Sequence, residues 1–237
     1  MSEVWSPEML ASAAHRLGEV PLFVGLAPAT LDALAHASRL RRYSAGQVLW
    51  NEGDPGDSLL VLEAGQLRVS RFAPSGQEAV LTVVEPPTAL GELALLDGLP
   101  RNATVVAQQP VVVRFIPRTV FLALLRQEPA LVEPLLRSLA AMLRAANERE
   151  ADLLGLDVPG RLAKWLLARA ARVGGSPVHP GIVVPLGRTQ TALAAELGTT
   201  RESLSRALRR FTELKLLVID GERVTLQDPT GLELFLG

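Results

Sequence analysis

The sequence predicts an α+β protein: a β-rich N-terminal domain, one long helix, and a small C-terminal domain built as a winged helix-turn-helix. Three observations carry this. Between Tyr43 and Ile116, short β-rich runs alternate with glycine-marked turns. From Val132 to Leu153, apolar residues recur every three or four positions. Beyond Thr189, two helical patterns meet at Gly198 and a hairpin signal, Asp220-Gly221, follows them.

Taken in chain order, Ser6-Pro7-Glu8 reads as a helix start, with Ser6 as N-cap and Pro7 at the first helical position. A second helix follows Pro28, with Leu31, Leu34, Ala35 and Ser38 on one face. The β runs are 48–50, 59–62, 67–72, 80–84, 104–107 and 111–116, a spacing that suits an antiparallel sandwich or barrel. Phe121, Leu124 and Leu125 mark a short helix ending near Pro129. Val132, Leu135, Leu136, Leu139, Leu143, Ala146, Glu150 and Leu153 then define a long helix with a narrow apolar seam, suited to pairing with a second copy of the chain. Packing on its own domain is the alternative, although so long a helix outreaches one small β domain. Gly155 to Pro159 breaks the period as a hinge, and Asp157 caps a helix over 160–172. A loop, a short strand over 182–186, the two helices and the terminal hairpin complete the chain. The expected division is 1–128 for the N-terminal helices and β domain, 129–156 for the dimerisation helix and hinge, and 157–237 for the winged helix-turn-helix.

Composition narrows the function. There is no cysteine, so disulfides, thiolate metal sites, iron–sulfur clusters and cysteine catalysis are excluded. His15, His36 and His179 are too dispersed for a local metal motif. No nucleophile–base–acid set and no glycine-rich phosphate loop of the ATPase or dinucleotide type occurs, so the chain reads as a non-enzyme. Acidic Glu3 and Glu8, and the lack of any apolar run near ~20 residues, predict a cytoplasmic protein without signal peptide or membrane segment.

A net charge of −1 argues against indiscriminate nucleic-acid coating and turns attention to local patches. Residues 188–215 carry six basic against three acidic residues. Within them, Leu204, Leu208 and Phe211 face inward, leaving Arg201, Glu202, Ser205, Arg206, Arg209 and Arg210 for the outer faces. Glu202 and Arg206 lie four apart on one face, with Arg201 at the helix end that enters the major groove. Arginine donates two bonds to guanine, and glutamate accepts from cytosine. Thr189 and Gln190, opening the preceding helix, suit phosphate contacts. A solvated surface helix is the bland alternative; the Gly198 turn and the wing-like 218–224 argue for double-stranded DNA as partner.

At Thr199-Thr200-Arg201-Glu202-Ser203-Leu204-Ser205-Arg206 the chain resembles the recognition-helix motif of the CRP/FNR superfamily of bacterial transcription regulators. Residues 155–163, 21–26 and 53–57 are similar to that family's hinge and N-terminal segments, and the resemblance runs collinearly over 15–227. It implies a cyclic-nucleotide-type β-roll, a homodimer through the long helix, and a two-fold DNA site related to TGTGA…TCACA. It also implies an RNA polymerase contact near His179-Pro180-Gly181, a segment that reads equally as a plain surface turn.

Residues 90–104 resemble the family's phosphate-binding cassette, and their chemistry suits a cyclic phosphate. Gly91 allows close backbone approach, a short helix beginning there offers N–H groups, Arg101 neutralises the phosphate, and Glu92 accepts from a ribose hydroxyl. Gly91, Glu92, Leu93, Arg101, Asn102 and Asn147 are the candidate nucleotide-binding residues, with cyclic AMP as expected effector and no metal, haem or iron–sulfur cofactor. Two departures stand out. Asn102 replaces a small Ser or Ala, and Ala146-Asn147 replaces the Thr-Ser pair that meets adenine in cyclic-AMP members. Three alternatives stay open: a structural Glu92–Arg101 ion pair, an effector-independent regulator, and a nucleotide-sensing module acting on a protein partner. The last leaves residues 188–226 unexplained.

Overall fold

The computed structural model describes residues 7–72, 78–186 and 190–237. The chain divides into two compact units. Residues 1–77 and 81–143 make the first; residues 144–237, with 78–80, make the second.

The first unit opens with α1 (Pro7–Gly18), a 3-10 turn (Pro21–Phe23) and α2 (Pro28–Ala37). Eight strands follow: β1 (Arg39–Tyr43), β2 (Val48–Trp50), β3 (Ser58–Ala64), β4 (Leu67–Phe72), β5 (Glu78–Val84), β6 (Thr88–Leu90), β7 (Thr104–Ala107) and β8 (Val111–Pro117). The short α3 (Glu92–Asp97) separates β6 from β7, and α4 (Arg118–Gln127) follows β8. The strands form two four-stranded sheets, ordered β1-β8-β3-β6 and β2-β7-β4-β5.

Strand β3 explains the layering. Its run Ser58-Leu59-Leu60-Val61-Leu62 is apolar at successive positions because both faces are covered. Leu60 and Leu62 join Trp50, Leu67, Val105 and Val113 between the sheets. Leu59 and Val61 face the helical layer with Leu17, Leu34, Ile116 and Phe121. One fully buried charge crosses this fabric: Arg114 Nε donates to Glu63 Oε1 at 2.6 Å and Nη1 to Ser38 Oγ at 3.0 Å. Arg16 reaches the other oxygen of Glu63 at 2.8 Å, tying α1 to the sheet.

Helix α5 (Val132–Gly155) continues from a second 3-10 turn, Pro129–Leu131. Its apolar residues split into two stripes. Leu135 is buried and Leu139 packs beside it on the helical core of the first unit. Val132, Leu136, Leu143, Leu153 and Leu154 remain exposed.

In the second unit α6 (Val158–Gly174) starts at Asp157, whose side chain accepts from the Gly160 N–H at 2.8 Å. There follow β9 (Val183–Pro185), α7 (Gln190–Glu196), α8 (Arg201–Glu213), β10 (Leu217–Asp220), β11 (Arg223–Leu226) and α9 (Pro229–Glu233). The three strands pair in the order β10-β11-β9. Leu162, Leu166, Leu193, Leu204, Leu208, Phe211 and Val224 form the core beneath them.

The α+β class, the β domain, the long helix and the helix-turn-helix unit thus match the sequence expectation. Among the strands and α-helices, β1, whose residues are Arg-Leu-Arg-Arg-Tyr, the three-residue β6 and α9 go beyond that expectation, as do the two 3-10 turns. The expected N-cap Ser6 lies outside the described residues, as does Thr189. No described helix is long and apolar enough to cross a membrane.

Candidate functional site

In the first unit, Gly91 caps α3 in the left-handed region at φ 92°. A Cβ there would fall well inside contact distance of Arg101 Nη1, so both the backbone angle and the space demand glycine. Arg101 comes back over this turn from the loop before β7. It is 4% exposed; Nη1 donates to the Gly91 carbonyl at 3.1 Å and Nη2 to the Ser58 carbonyl at 2.6 Å. Its own backbone is fixed on the Gly53–Asp57 turn: Arg101 N–H donates to Asp54 O, and Gly53 N–H to Arg101 O, both at 2.8 Å. The guanidinium lies over the Trp50 ring, 4.2 Å from the centroid.

The carboxylate within salt-bridge range of Arg101 is Asp57 at 3.9 Å, and its side chain is exposed. The Glu92–Arg101 pairing considered from sequence is not that contact. Burial pushes the Arg101 pKa down, opposed by Asp57, then Glu92 and Asp54. Glu92 is also buried, and burial raises its carboxyl above the usual range despite backbone N–H bonds from Glu92 and Gly91 and the nearby Arg101 charge. The cradle therefore sets a desolvated cation near a carboxyl whose pKa burial raises. Such a site gains from an anion placed on Arg101. Leu93 and Asn102 are exposed near it in sequence, whereas Asn147 is an exposed residue of α5 within the second unit. Metal-binding groups of His, Asp and Glu do not occur among the described residues.

In the second unit, the turn after α7 contains Gly198, which has φ 62°. Thr200 then caps α8, its hydroxyl accepting from Ser203 N–H at 3.2 Å. Leu204, Ala207, Leu208 and Phe211 turn inward, so Arg201, Glu202, Arg206 and Arg209 emerge together on the exposed face, with Ser205 half-buried between them. Arg206 Nη2 donates to Ser203 Oγ at 2.9 Å, which orients it along the helix. The Glu202 carboxyl is held below its ordinary pKa by its own backbone N–H and then by the Thr200 hydroxyl, keeping it an ionised acceptor. Gln190 is exposed at the start of α7. Arg210, by contrast, stacks over Phe235 at 5.2 Å.

Two family models match these two regions: a cyclic nucleotide-binding domain over residues 40–128 and a Crp-like helix-turn-helix domain over residues 160–235. The CRP-like cAMP-activated global transcriptional regulator of Mycobacterium tuberculosis is 32% identical over 216 residues, covering 91% of this chain and 96% of that one. The chain belongs to the CRP/FNR family of transcription regulators. The cyclic AMP receptor protein of Thermus thermophilus is 31% identical over 213 residues, covering 90% of this chain and 95% of that relative. The crystal structure of the Thermus thermophilus catabolite activator protein superposes with a TM-score of 0.52 at 30% identity, covering 91% and 98% of the two chains.

As a CRP/FNR regulator the chain carries DNA-binding machinery in its second unit, and that unit holds a clamp the sequence did not disclose. Arg161 Nη1 donates to the Leu156 carbonyl at 2.7 Å and Nε to the Leu197 carbonyl at 2.9 Å. Lys164 pairs with Asp152 at 2.6 Å, and Trp165 Nε1 donates to Glu196 at 3.1 Å. One turn of α6 therefore joins the end of α5 to the helix-turn-helix corner. Sequence reasoning also missed Trp50 and Ser58. The aromatic in Val48-Leu49-Trp50, just before the Gly53–Asp57 turn, was the available signal for the first; Ser58 acts through its carbonyl, which no residue type announces.

Proposed function

We propose that this CRP/FNR regulator works as a homodimer on a two-fold, TGTGA-like DNA site and is switched by cyclic AMP. The observation that carries the DNA half is the joint exposure of Arg201, Glu202 and Arg206 on one end of a capped, well-packed helix. Arg201 and Arg206 read guanine, Glu202 accepts from cytosine, and Ser205, Arg209, Gln190 and Thr189 contact the backbone or flanking edges. The exposed stripe Val132, Leu136, Leu143 and Leu153 on α5 supports pairing with a second copy. Pairing must set two recognition helices about 34 Å apart to enter successive major grooves.

Arg101 binds the cyclic phosphate, Glu92 accepts from the ribose, Gly91, Leu93 and Asn102 line the approach, and Asn147 meets the base. The nucleotide then biases the hinge at Leu156-Asp157, a population shift between two states. The working division is 1–128, 129–156 and 157–237, in a cytoplasmic protein whose His179–Gly181 loop meets RNA polymerase. One observation favours a second reading, an effector-independent regulator: Arg101 is already bonded to two protein carbonyls and stacked on Trp50. Gel shifts with specific and scrambled duplexes, each with and without cyclic AMP, separate the readings. Sequence-specific binding only with nucleotide supports the first. Equal specific binding without it supports the second, and no specific binding leaves neither.

A further inference from the structure

To meet a phosphate, the buried Arg101 guanidinium must be held with its free donors aimed at the ligand. Two of its five N–H donors go to the Gly91 and Ser58 carbonyls. Its buried Nε has no hydrogen-bond partner. Asp57, the carboxylate in range, is solvent-exposed and 3.9 Å away, a weak counter-charge. The group that covers the cation is the Trp50 indole, and that ring has no freedom of its own. It is 9% exposed, anchored in β2, and its Nε1 donates to the Ala103 carbonyl at 3.0 Å. It also flanks the cassette turn: a Cβ on Gly91 would stand 3.5 Å from Trp50 Cη2.

We propose that Trp50 is a positioning residue of the effector pocket, an aromatic shelf that holds the Arg101 guanidinium by its face and leaves its edge donors for an anionic phosphate. This rests on the cyclic-nucleotide reading of the same cradle. A π face offsets the charge of a desolvated cation without consuming any N–H. An aliphatic side chain in its place fills space but leaves the cation uncompensated, so Arg101 turns toward Asp57 and water and loses its aim.

The test uses the full chain and cyclic AMP as probe. Calorimetry is run on the native protein, Trp50→Phe and Trp50→Leu, and emission is read in a background where Trp5 and Trp165 are Phe. Trp50→Phe should bind within about threefold of the native protein and Trp50→Leu about tenfold more weakly. Trp50 emission should shift on saturation, and Arg101→Ala should abolish the shift. Trp50→Leu binding as tightly as the native protein overturns the proposal, as does a Phe variant no better than Leu. If Trp50→Leu does not fold, the emission decides, and an unchanged spectrum at saturation overturns it. A native protein that binds no cyclic nucleotide brings down the pocket reading itself, and this proposal with it; the outcomes above leave that reading standing.

Discussion

Replacing Gly91 by alanine tests the cradle at its tightest point. Two costs arise. At φ 92° a side chain sits in the left-handed region, worth ~1–2 kcal/mol. The new Cβ also displaces Arg101 Nη1 from the Gly91 carbonyl, and a hydrogen bond made by a charged group is worth ~1.5–3 kcal/mol. Together they come to about 3 kcal/mol, roughly a hundredfold in the folding equilibrium of the first unit. Urea unfolding followed by Trp50 fluorescence, with m of about 2 kcal/mol/M, should show the midpoint fall by about 1.5 M. The second cost needs Arg101, so in an Arg101→Ala background the same substitution should cost only the ~1–2 kcal/mol backbone part. Equal costs in both backgrounds would refute the claim that Arg101 packs onto this turn. A loss below ~0.5 kcal/mol would refute the strain argument as well.

Arg206→Ala should weaken binding to the specific duplex by ~1–3 kcal/mol while changing affinity for a scrambled duplex little; equal losses in anisotropy titrations would make Arg206 a phosphate contact. Leu143→Asp disturbs no core, since Leu143 is 62% exposed, yet should give monomers in sedimentation with unchanged circular dichroism; persistent dimers would place the interface elsewhere. Burial raises the Glu92 pKa. Its stabilising contribution is therefore complete below the unfolded value of about 4.3 and is lost as pH rises through the folded value. Glu92→Gln should raise the neutral-pH Tm of the ligand-free protein and flatten the decline above about pH 4, while weakening nucleotide binding; a lower Tm at neutral pH contradicts this. Arg161→Met removes both carbonyl bonds at the hinge and should reduce DNA affinity without touching a DNA-facing residue; unchanged affinity would sever the clamp from function.

What was legible in the sequence was whatever local chemistry decides. The Asp157 cap, the left-handed Gly198, the inward Leu204-Leu208-Phe211 face and the long period of α5 depend on neighbours within a turn or two. Strand β1 escaped because its three arginines hide the alternation. Arg41 and Arg42 are exposed on this edge strand, and only pairing with β8 makes it a strand. The Arg101 contacts escaped for a different reason. Ser58 and Trp50 are 43 and 51 positions away, and sheet closure alone brings them to the guanidinium. The Arg114–Glu63 bond, spanning 51 residues, is likewise a product of β3 pairing with β8. Motif spacing located the cassette; the tertiary fold supplied what surrounds its arginine.

Nucleotide-switched, site-specific binding is read most directly by the anisotropy of a labelled TGTGA…TCACA duplex titrated with the full chain, with and without saturating cyclic AMP. A cyclic-AMP-switched regulator should bind tightly and salt-sensitively only when nucleotide is present, with little binding to a scrambled duplex in either condition. Identical curves with and without cyclic AMP, or no preference for the two-fold site, would contradict it.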